Sequence, residues 1–166
     1  MIDQRLPPFP DFVEEHRVRV YRFLVSAVGP VEADDCFQET FLAALRAYPK
    51  LEHAEALDRW ILKIATRKAL DHHRERGRRP VPSESAIELA DARPATTKAD
   101  GIDPADPLWD AVRALPPRQR AAVVHRYVLD LPYDQVGDLM GCSAETARAN
   151  VHHGMRTLRE EVEADA

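Results

Sequence analysis

The sequence is poor in cysteine and glycine. It contains two cysteines and six glycines in 166 residues. Cys36 and Cys142 are far apart in the chain, and each lies in an apolar helical pattern that is typical of a small buried thiol. The histidine pairs at 72–73 and 152–153 point about 100° apart on a helix, so neither pair can hold one metal. We therefore expect no metal and no cofactor.

Long apolar runs are also missing. No stretch of about 18 apolar residues exists, and the N-terminal residues MIDQRLPPFPDFVEEH show no basic start followed by an apolar segment. We expect a cytoplasmic protein without membrane insertion. Glycine-rich phosphate loops, nucleophile elbows and carboxylate pairs in an evident pocket are absent as well, so we expect no catalytic residues and no enzyme activity.

The charge of the chain is unevenly distributed. A net charge of −5 argues weakly against a nucleic-acid partner, but residues 61–80 carry seven basic and two acidic side chains. A polyanion responds to the local field rather than to the total charge. The basic segment, which has acidic segments on both sides, is therefore the feature that needs an explanation.

Residues 81–107 divide the chain into two parts. They contain several prolines and acidic residues and no aromatic residue, so they cannot bury enough apolar surface to offset backbone ordering. We expect a flexible acidic linker here, between domains at 8–80 and 108–163. Neither domain shows strand alternation, so the expected fold is all-α, with two small helical domains.

Proline and glycine positions predict the helix boundaries. In the first domain we expect helices at 11–28, 32–48 and 55–78. In the second domain, breaks at 116–117, 131–132 and 141–143 predict four shorter helices.

The second helix has a core face and an opposite face. Its core face, at a helical period, comprises Ala33, Cys36, Phe37, Thr40, Phe41, Ala44 and Tyr48. The opposite face comprises Asp35, Gln38, Glu39, Leu42 and Arg46. An ordinary solvated face would look much the same, but an apolar Leu42 among polar residues favours a partner surface.

The third helix carries a row of cations. Its predicted buried stripe is Leu57, Trp60, Ile61, Ile64 and Ala65. On another face, the basic row comprises Lys63, Arg67, Arg74 and Arg78. Cations in a row repel one another unless an anion lies between them. The phosphates of a nucleic acid are suitable anions, because each phosphate that a Lys or Arg neutralises releases a condensed counterion. A solvated basic stripe is the alternative. Asp71, at the edge of the row, could orient an arginine or accept a hydrogen bond from a base.

The second domain contains a helix–turn–helix pattern. A short helix near 133–140 meets a glycine-containing turn, and Ser143 fits as the N-cap of a longer helix. The inward stripe of that helix is Ala147, Val151, Gly154, Leu158 and Val162, whereas its outward residues are Glu145, Arg148, Ala149, His152, Arg156 and Arg159. Such a helix can enter the DNA major groove, although the same shape also occurs as plain structure in helical proteins.

Three segments in this order resemble a known family. The runs ADDCFQETFLAAL, LDRWILKIATRKALDHHRERGRR and LPPRQRAAVVHRYVLDLPYDQVGDLMGCSAETARANVHHGMRTLRE are similar to the extracytoplasmic-function (ECF) group of the sigma-70 family. The resemblance covers about residues 8–162. It implies an RNA polymerase sigma factor, with region 2 in the first domain and region 4 in the second.

The resemblance implies a role for each surface. The second helix would bind the polymerase β′ clamp helices through Asp35, Gln38, Glu39 and Leu42. The third helix would recognise and melt the −10 element with Trp60, Lys63, Arg67, Asp71, Arg74 and Arg78. The helix–turn–helix would read the −35 element with Ser143, Thr146, Arg148, His152 and Arg156. The second domain would also bind the β-flap, and an anti-sigma protein is a further partner that the family admits.

Two departures from the family pattern bear on DNA contacts. Where the family often has Ile-Ala-Arg-Asn, this chain has Ile-Ala-Thr-Arg at 64–67, so an asparagine for an extruded base is absent. In the reading helix several cations of the family pattern are missing, and Gly154 costs about 1 kcal/mol of helix propensity relative to alanine.

Two other classes of function stay open on the sequence. A stand-alone helix–turn–helix regulator would bind operators without the polymerase, and it would not need the face of the second helix that carries Asp35 and Leu42. If the chain were a helical interaction protein or an enzyme unrelated to DNA, the basic row would have no function and would have to be a coincidence.

Overall fold

Helices account for almost all of the regular structure. The computed structural model describes residues 5–76 and 106–165, and neither range contains a strand. The elements in chain order are α1 (Phe9–Val28), α2 (Pro30–Ala47), a 3₁₀ turn (Tyr48–Lys50), α3 (Leu57–Arg76), α4 (Pro107–Ala114), α5 (Pro117–Val123), a π-helical turn (Val124–Val128), α6 (Tyr133–Met140) and α7 (Ala144–Ala164). The predicted all-α fold is confirmed. Arg78 and most of the predicted linker lie outside the described residues.

Gly29 allows α1 and α2 to follow each other without a loop. Its φ of 87° lies in the left-handed region that favours glycine, and its N–H donates to the Val25 carbonyl at 3.0 Å. Pro30 then begins α2, at a position where its missing N–H costs nothing. The two helices therefore form a tight antiparallel pair.

Aromatic side chains fill the core between α1, α2 and α3. The Phe12 ring lies 5.1 Å from Tyr48, 5.8 Å from Trp60 and 6.3 Å from Phe41, measured between centroids. The Tyr48 hydroxyl donates to the Pro7 carbonyl at 2.6 Å. Every residue of the predicted core face of α2 is buried, as the helical period indicates.

The short helix α6 and the longer helix α7 form the helix–turn–helix, and two glycines shape the turn between them. Gly141 ends α6 in the left-handed conformation, with φ 69° and ψ 36°. Gly137 lies against the turn, because a Cβ there would come 2.7 Å from the Cys142 carbonyl oxygen. Ser143 caps α7 as predicted: its hydroxyl oxygen accepts from the Thr146 N–H at 3.1 Å.

The inward stripe of α7 is shorter than predicted. Ala147, Val151, Gly154 and Leu158 are buried, but Val162 is 57% exposed. A Cβ at Gly154 would lie 2.7 Å from Val123 Cγ2, so this glycine permits α7 to approach α5 closely. The low helix propensity of Gly154 is therefore offset by the closer packing of α7 on α5. Val162 was wrongly assigned to the stripe because α7 runs past the helices that cover it.

The buried face of α3 also differs from the prediction. Trp60 and Ile64 are only partly buried, whereas Leu62, Thr66 and Ala69 are at most 1% exposed. The C-terminal domain (α4–α7) packs on the N-terminal domain (α1–α3), through α4 and α5 on α1 and through α5 and α6 on α3. A helical wheel of α3 alone cannot show a face that a distant segment covers.

Candidate nucleic-acid interface

The basic row of α3 lies at the boundary between the two domains. Lys63, Arg67 and Arg74 are exposed, and Asp71 beside them is half-buried. The structure therefore brings together the described members of the predicted row, in the order that the sequence indicates. Within the described residues the row comprises Lys63, Arg67 and Arg74, because Arg78 lies outside them.

A cleft separates this row from the helix–turn–helix. It measures about 260 Å³, and its far side is formed by Leu139, Met140 and Gly141 at the end of α6. Lys63 Nζ lies 4.0 Å from Asp138 Oδ1, with both side chains at least half exposed. An exposed pair of this kind stabilises the fold little. The cations thus retain their capacity to bind an anion.

Trp60 does not belong to the basic row. Its ring lies 5.8 Å from Phe12 and 6.3 Å from Tyr48, within the aromatic core, and it is only partly exposed. The sequence placed Trp60 both in the buried stripe and among the −10 residues. The packing of Trp60 against Phe12 and Tyr48 accounts for its place in the buried stripe.

The outward face of α7 is open to solvent. Thr146, Arg148, His152 and Arg156 are all exposed, and so are the other residues that the sequence placed on this face. Ser143 is exposed too, but its hydroxyl also donates to Thr146 Oγ1 at 2.9 Å. The N-terminal turn of α7 and its exposed cations are therefore available to a phosphate and to base edges.

Tyr133 orients one of the cations on this face. The guanidinium carbon of Arg148 lies 5.0 Å from the centre of the Tyr133 ring, and that of Arg126 lies 5.1 Å from the same centre. These distances are typical of cation–π contacts. Sequence reasoning missed this pairing, since Tyr133 begins α6 and Arg148 lies in the second turn of α7.

The predicted partner face of α2 is largely solvent-exposed. Asp35 and Glu39 are exposed, Gln38 is half-buried and Leu42 is 48% exposed. Leu45, three residues after Leu42, is 49% exposed and widens the apolar part of this face. Its spacing from Leu42 on the helix is the sequence signal that could have identified it.

Two buried groups lie where the domains meet. Arg120 is 8% exposed, and burial, with a smaller effect of Arg113, lowers the pKa of its guanidinium. His125 is fully buried in the π-helical turn, and burial, with a smaller effect of Arg19, lowers its pKa to about 3. His125 is therefore neutral at physiological pH.

An apolar groove on the C-terminal domain was not predicted from the sequence. It has a volume of about 390 Å³ between α4, the end of α5 and α7. Leu108, Tyr127 and Val162 on its walls are 45%, 58% and 57% exposed. Arg159 and Glu163 lie at its edge. Exposed apolar surface of this extent is typical of a protein-binding site.

The described ranges contain neither a metal-binding cluster nor a membrane-spanning helix. Across residues 5–76 and 106–165, no three His, Cys, Asp or Glu side chains are grouped closely enough to hold a metal ion. None of the helices in those ranges is both long and apolar enough to cross a membrane.

Comparison with known proteins identifies both domains. The family model described as Sigma-70 region 2 matches residues 12–79, and the one described as Sigma-70, region 4 matches residues 105–158. The RNA polymerase sigma factor CarQ of Myxococcus xanthus is 34% identical over 155 residues, which cover 92% of this chain and 87% of that protein.

Two further relatives extend the comparison. The ECF RNA polymerase sigma factor SigE of Mycolicibacterium smegmatis is 31% identical over 160 residues, covering 93% of this chain but only 62% of that longer protein. The sigma factor RpoE of Bartonella quintana, solved in complex with the anti-sigma factor NepR, has the same fold, with a TM-score of 0.69 at 22% identity over 94% of this chain and 99% of that chain. With α3 and the helix–turn–helix in the order of regions 2 and 4, the chain belongs to the ECF group of the sigma-70 family.

Proposed function

We propose that this protein is a promoter-specificity subunit of RNA polymerase, which binds the core enzyme and directs it to promoter DNA. It acts by binding alone and has no enzyme activity of its own, and it works in the cytoplasm. The observation that carries the proposal is the presence, in one chain, of an exposed cationic row on α3 and an exposed reading face on α7.

The two surfaces suit two forms of DNA. A row of cations along a helix follows a phosphate backbone, so we assign Lys63, Arg67 and Arg74 to the melted −10 strand, with Asp71 as an orienting group. The exposed Arg148, His152 and Arg156, with Ser143 and Thr146 at the helix N-terminus, suit the major groove of the −35 duplex. Trp60 supports the −10 surface from the core, and we assign Arg78 to it as well.

The exposed face of α2 favours a sigma factor over a stand-alone regulator. Asp35, Gln38, Glu39 and Leu42 have no described partner element over them, and a regulator that binds operators alone would not need them. We assign this face, with Leu45, to the β′ clamp helices of the polymerase. Interfaces of this kind combine apolar contacts with complementary charge.

The groove between α4, α5 and α7 is the second polymerase contact that we propose. Its exposed apolar walls suit a protein partner rather than DNA, and we assign this groove to the β-flap. We further propose that an anti-sigma protein binds this chain. The Bartonella quintana relative was solved with such a protein, NepR.

Reconstitution with core RNA polymerase tests the proposal. Purified full-length protein should co-elute with core polymerase, start transcription at defined sites on a genomic template and bind duplex DNA poorly by itself. Tight operator binding by the isolated protein, without any association with core polymerase, would instead support the stand-alone regulator.

A charge-reversal pair tests the α2 face directly. The double variant Asp35→Lys, Glu39→Lys should lose core polymerase binding and keep its fold, because both side chains are exposed. The matched control Glu14→Lys, Glu52→Lys changes the net charge equally on exposed positions away from this face. Equal core affinity of the two double variants would remove Asp35 and Glu39 from the interface.

A further inference from the structure

Glu145 is an acidic residue on a face of α7 that otherwise carries cations. It lies in the first turn of the helix, two residues after Ser143, and it is exposed. Arg148, His152 and Arg156 are exposed on the same face. Because DNA phosphates repel a carboxylate, Glu145 weakens the attraction of this face for DNA in general. Contact with the DNA backbone therefore does not explain an acid at this position.

The cap of α7 does not involve the Glu145 side chain. The Ser143 hydroxyl oxygen accepts from the Thr146 N–H at 3.1 Å, and the hydroxyl donates to Thr146 Oγ1 at 2.9 Å. Within the described residues the Glu145 carboxylate takes part in no hydrogen bond and no ion pair. An acid in the first turn interacts favourably with the helix dipole. Its oxygens nevertheless stay available to accept hydrogen bonds from a bound molecule.

Arg148 does not neutralise Glu145, although it lies one turn further along the helix. Residues three apart in a helix have Cβ atoms about 5–6 Å from each other, which is close enough for an ion pair. The Arg148 guanidinium lies instead over the Tyr133 ring, with 5.0 Å between its central carbon and the ring centre. The carboxylate and the guanidinium can therefore each contact a base of its own.

The base edges in the major groove offer one suitable partner for a carboxylate. An ionised carboxylate can only accept hydrogen bonds. Cytosine presents the N4 amine as a donor, whereas guanine presents two acceptors, and thymine presents an acceptor and a methyl group. Adenine N6 is also a donor, but the acceptor N7 beside it repels a carboxylate and suits an amide side chain instead. Cytosine is therefore the base that matches Glu145.

The position of Glu145 on α7 suits contact with base edges. In a helix–turn–helix, the N-terminal residues of the second helix reach the bases in the major groove. Arg148 suits guanine, because a guanidinium can donate to O6 and N7 of that base together. The two side chains are one turn apart on one face, and successive bases are about 3.4 Å apart along the DNA axis. Their bases should therefore lie within about two base pairs of each other.

We propose that Glu145 is a specificity-determining residue of the −35 contact, which accepts a hydrogen bond from the N4 amine of a cytosine close to a guanine bound by Arg148. The inference rests on the proposed function, because it deepens the role of α7 as the helix that reads the −35 element. Repulsion between Glu145 and the phosphates disfavours every sequence, and the hydrogen bond to cytosine offsets this repulsion at the correct site. Glu145 thus discriminates against other sequences as well as binding its own.

Selection from a promoter library tests the assignment. Holoenzyme with the full-length protein is mixed with duplex promoters in which the −35 element is randomised upstream of a start site that this holoenzyme uses, and the bound DNA is sequenced. Wild-type protein should favour cytosine at one position by about fivefold or more over the other bases. Glu145→Ala should lose this preference and keep the neighbouring guanine, whereas Arg148→Ala should lose the guanine and keep the cytosine.

Glu145→Gln should change the specificity rather than remove it. Its amide matches N6 and N7 of adenine, so the enriched base should change from cytosine to adenine. The matched control is Glu161→Gln, which removes the same charge from an exposed position on the opposite side of α7, about 24 Å further along the helix. This control should leave the base preferences unchanged.

Three results would overturn the inference. An unchanged cytosine preference in Glu145→Ala would exclude Glu145 from base readout. An equal change in affinity for all library members, together with a urea midpoint below that of Glu161→Gln, would assign Glu145 to the helix dipole alone. A wild-type profile without any preferred base in the −35 element would show that α7 does not read bases.

The same selection separates this inference from the proposed function. If wild-type holoenzyme starts transcription and Glu145→Ala leaves its base preferences unchanged, only the role of Glu145 is wrong. If the protein never binds core polymerase, the library is selected with the protein alone. A cytosine preference that Glu145→Ala removes would then support the role of Glu145 within a stand-alone regulator, and the proposed function would be wrong. Absence of that preference would overturn both.

Discussion

The guanidinium of Arg148 lies over the ring of Tyr133, with 5.0 Å between its central carbon and the ring centre. Arg148 is exposed on the reading face of α7, so nothing else in its packing would hold a long side chain in one place. Because an ordered arginine loses less conformational entropy when it binds a base, Tyr133 acts here as a positioning residue.

Replacing Tyr133 should therefore weaken binding to upstream DNA, although the residue that contacts the DNA, Arg148, is unchanged. Tyr133→Leu removes the aromatic face and should lower the affinity of holoenzyme for −35 duplex by about twofold to fivefold, since an exposed cation–π contact contributes about 0.5–1 kcal/mol. Tyr133→Phe keeps the face and serves as the control. In an Arg148→Ala background the Tyr133→Leu effect should vanish, and a full effect in that background would contradict the assignment.

A methyl group at Gly154 should destabilise the protein. Gly154→Ala gains about 1 kcal/mol of helix propensity, but the new Cβ would lie 2.7 Å from Val123 Cγ2, and overpacking costs about 1–3 kcal/mol. We expect a lower free energy of unfolding in urea. Adding Val123→Ala to Gly154→Ala should restore part of the loss, although Val123→Ala alone destabilises. Additive effects of the two substitutions would show that they do not clash.

Loss of the buried guanidinium should cost more than loss of an exposed one. Arg120→Met leaves the buried acceptors at Ala27 and Leu115 without their donor, and we expect a loss of about 3 kcal/mol in the free energy of unfolding. Arg118→Met is the matched control, because Arg118 is exposed and makes one long bond of 3.4 Å to Met140. Similar urea midpoints for the two variants would contradict the importance of the interdomain contact.

Lowering the pH should reduce the free energy of unfolding, because the folded state disfavours protonation of His125. Its pKa is about 3 in the folded state and 6.5 when free, so the folded state binds fewer protons than the unfolded one between these values. The stability that depends on neutral His125 is complete above pH 6.5 and is lost as the pH falls, by about 2 kcal/mol at pH 5. Burial opposes protonation, Arg19 adds a smaller repulsion, and Nδ1 has no hydrogen-bond partner in the described structure.

The histidine variants separate this effect from others. His125→Phe keeps an aromatic ring on Phe23 and should flatten the decline in unfolding free energy between pH 7 and pH 5. His16→Phe should also reduce this decline, but by less than His125→Phe does, since burial lowers the pKa of His16 as well. An unchanged pH profile in His125→Phe would show that His125 does not carry the acid sensitivity.

The basic row should be visible in the salt dependence of DNA binding. Arg67→Ala, Arg74→Ala removes two exposed cations from α3, and the logarithmic salt slope for single-stranded DNA should fall by about 1.4. The control Lys50→Ala, Arg59→Ala removes two exposed cations elsewhere in the N-terminal domain. Equal slopes for the two double variants would place the DNA on another surface.

Local patterns were sufficient to predict most of the helices. Period and breakers predicted α1, α2 and the helix–turn–helix to within about two residues, because Gly29, Pro30 and Gly141 end or begin helices through their own backbone preferences. The Ser143 cap and the exposed face of Arg148, His152 and Arg156 also follow from spacing within one helix. The −10, −35 and clamp-helix roles of these residues stay predictions.

Long-range packing decided the remaining features. The sequence by itself determined an all-α chain with a cationic row and a reading helix, since these depend on neighbours three or four residues away. Only the tertiary structure decided that Thr66 is buried against His125 and that Arg120 caps α1. It also decided that Val123 packs closely on Gly154 and that Val162 is exposed. Each of these depends on segments distant in the chain, whose contact is set by the summed burial of both domains rather than by any local pattern.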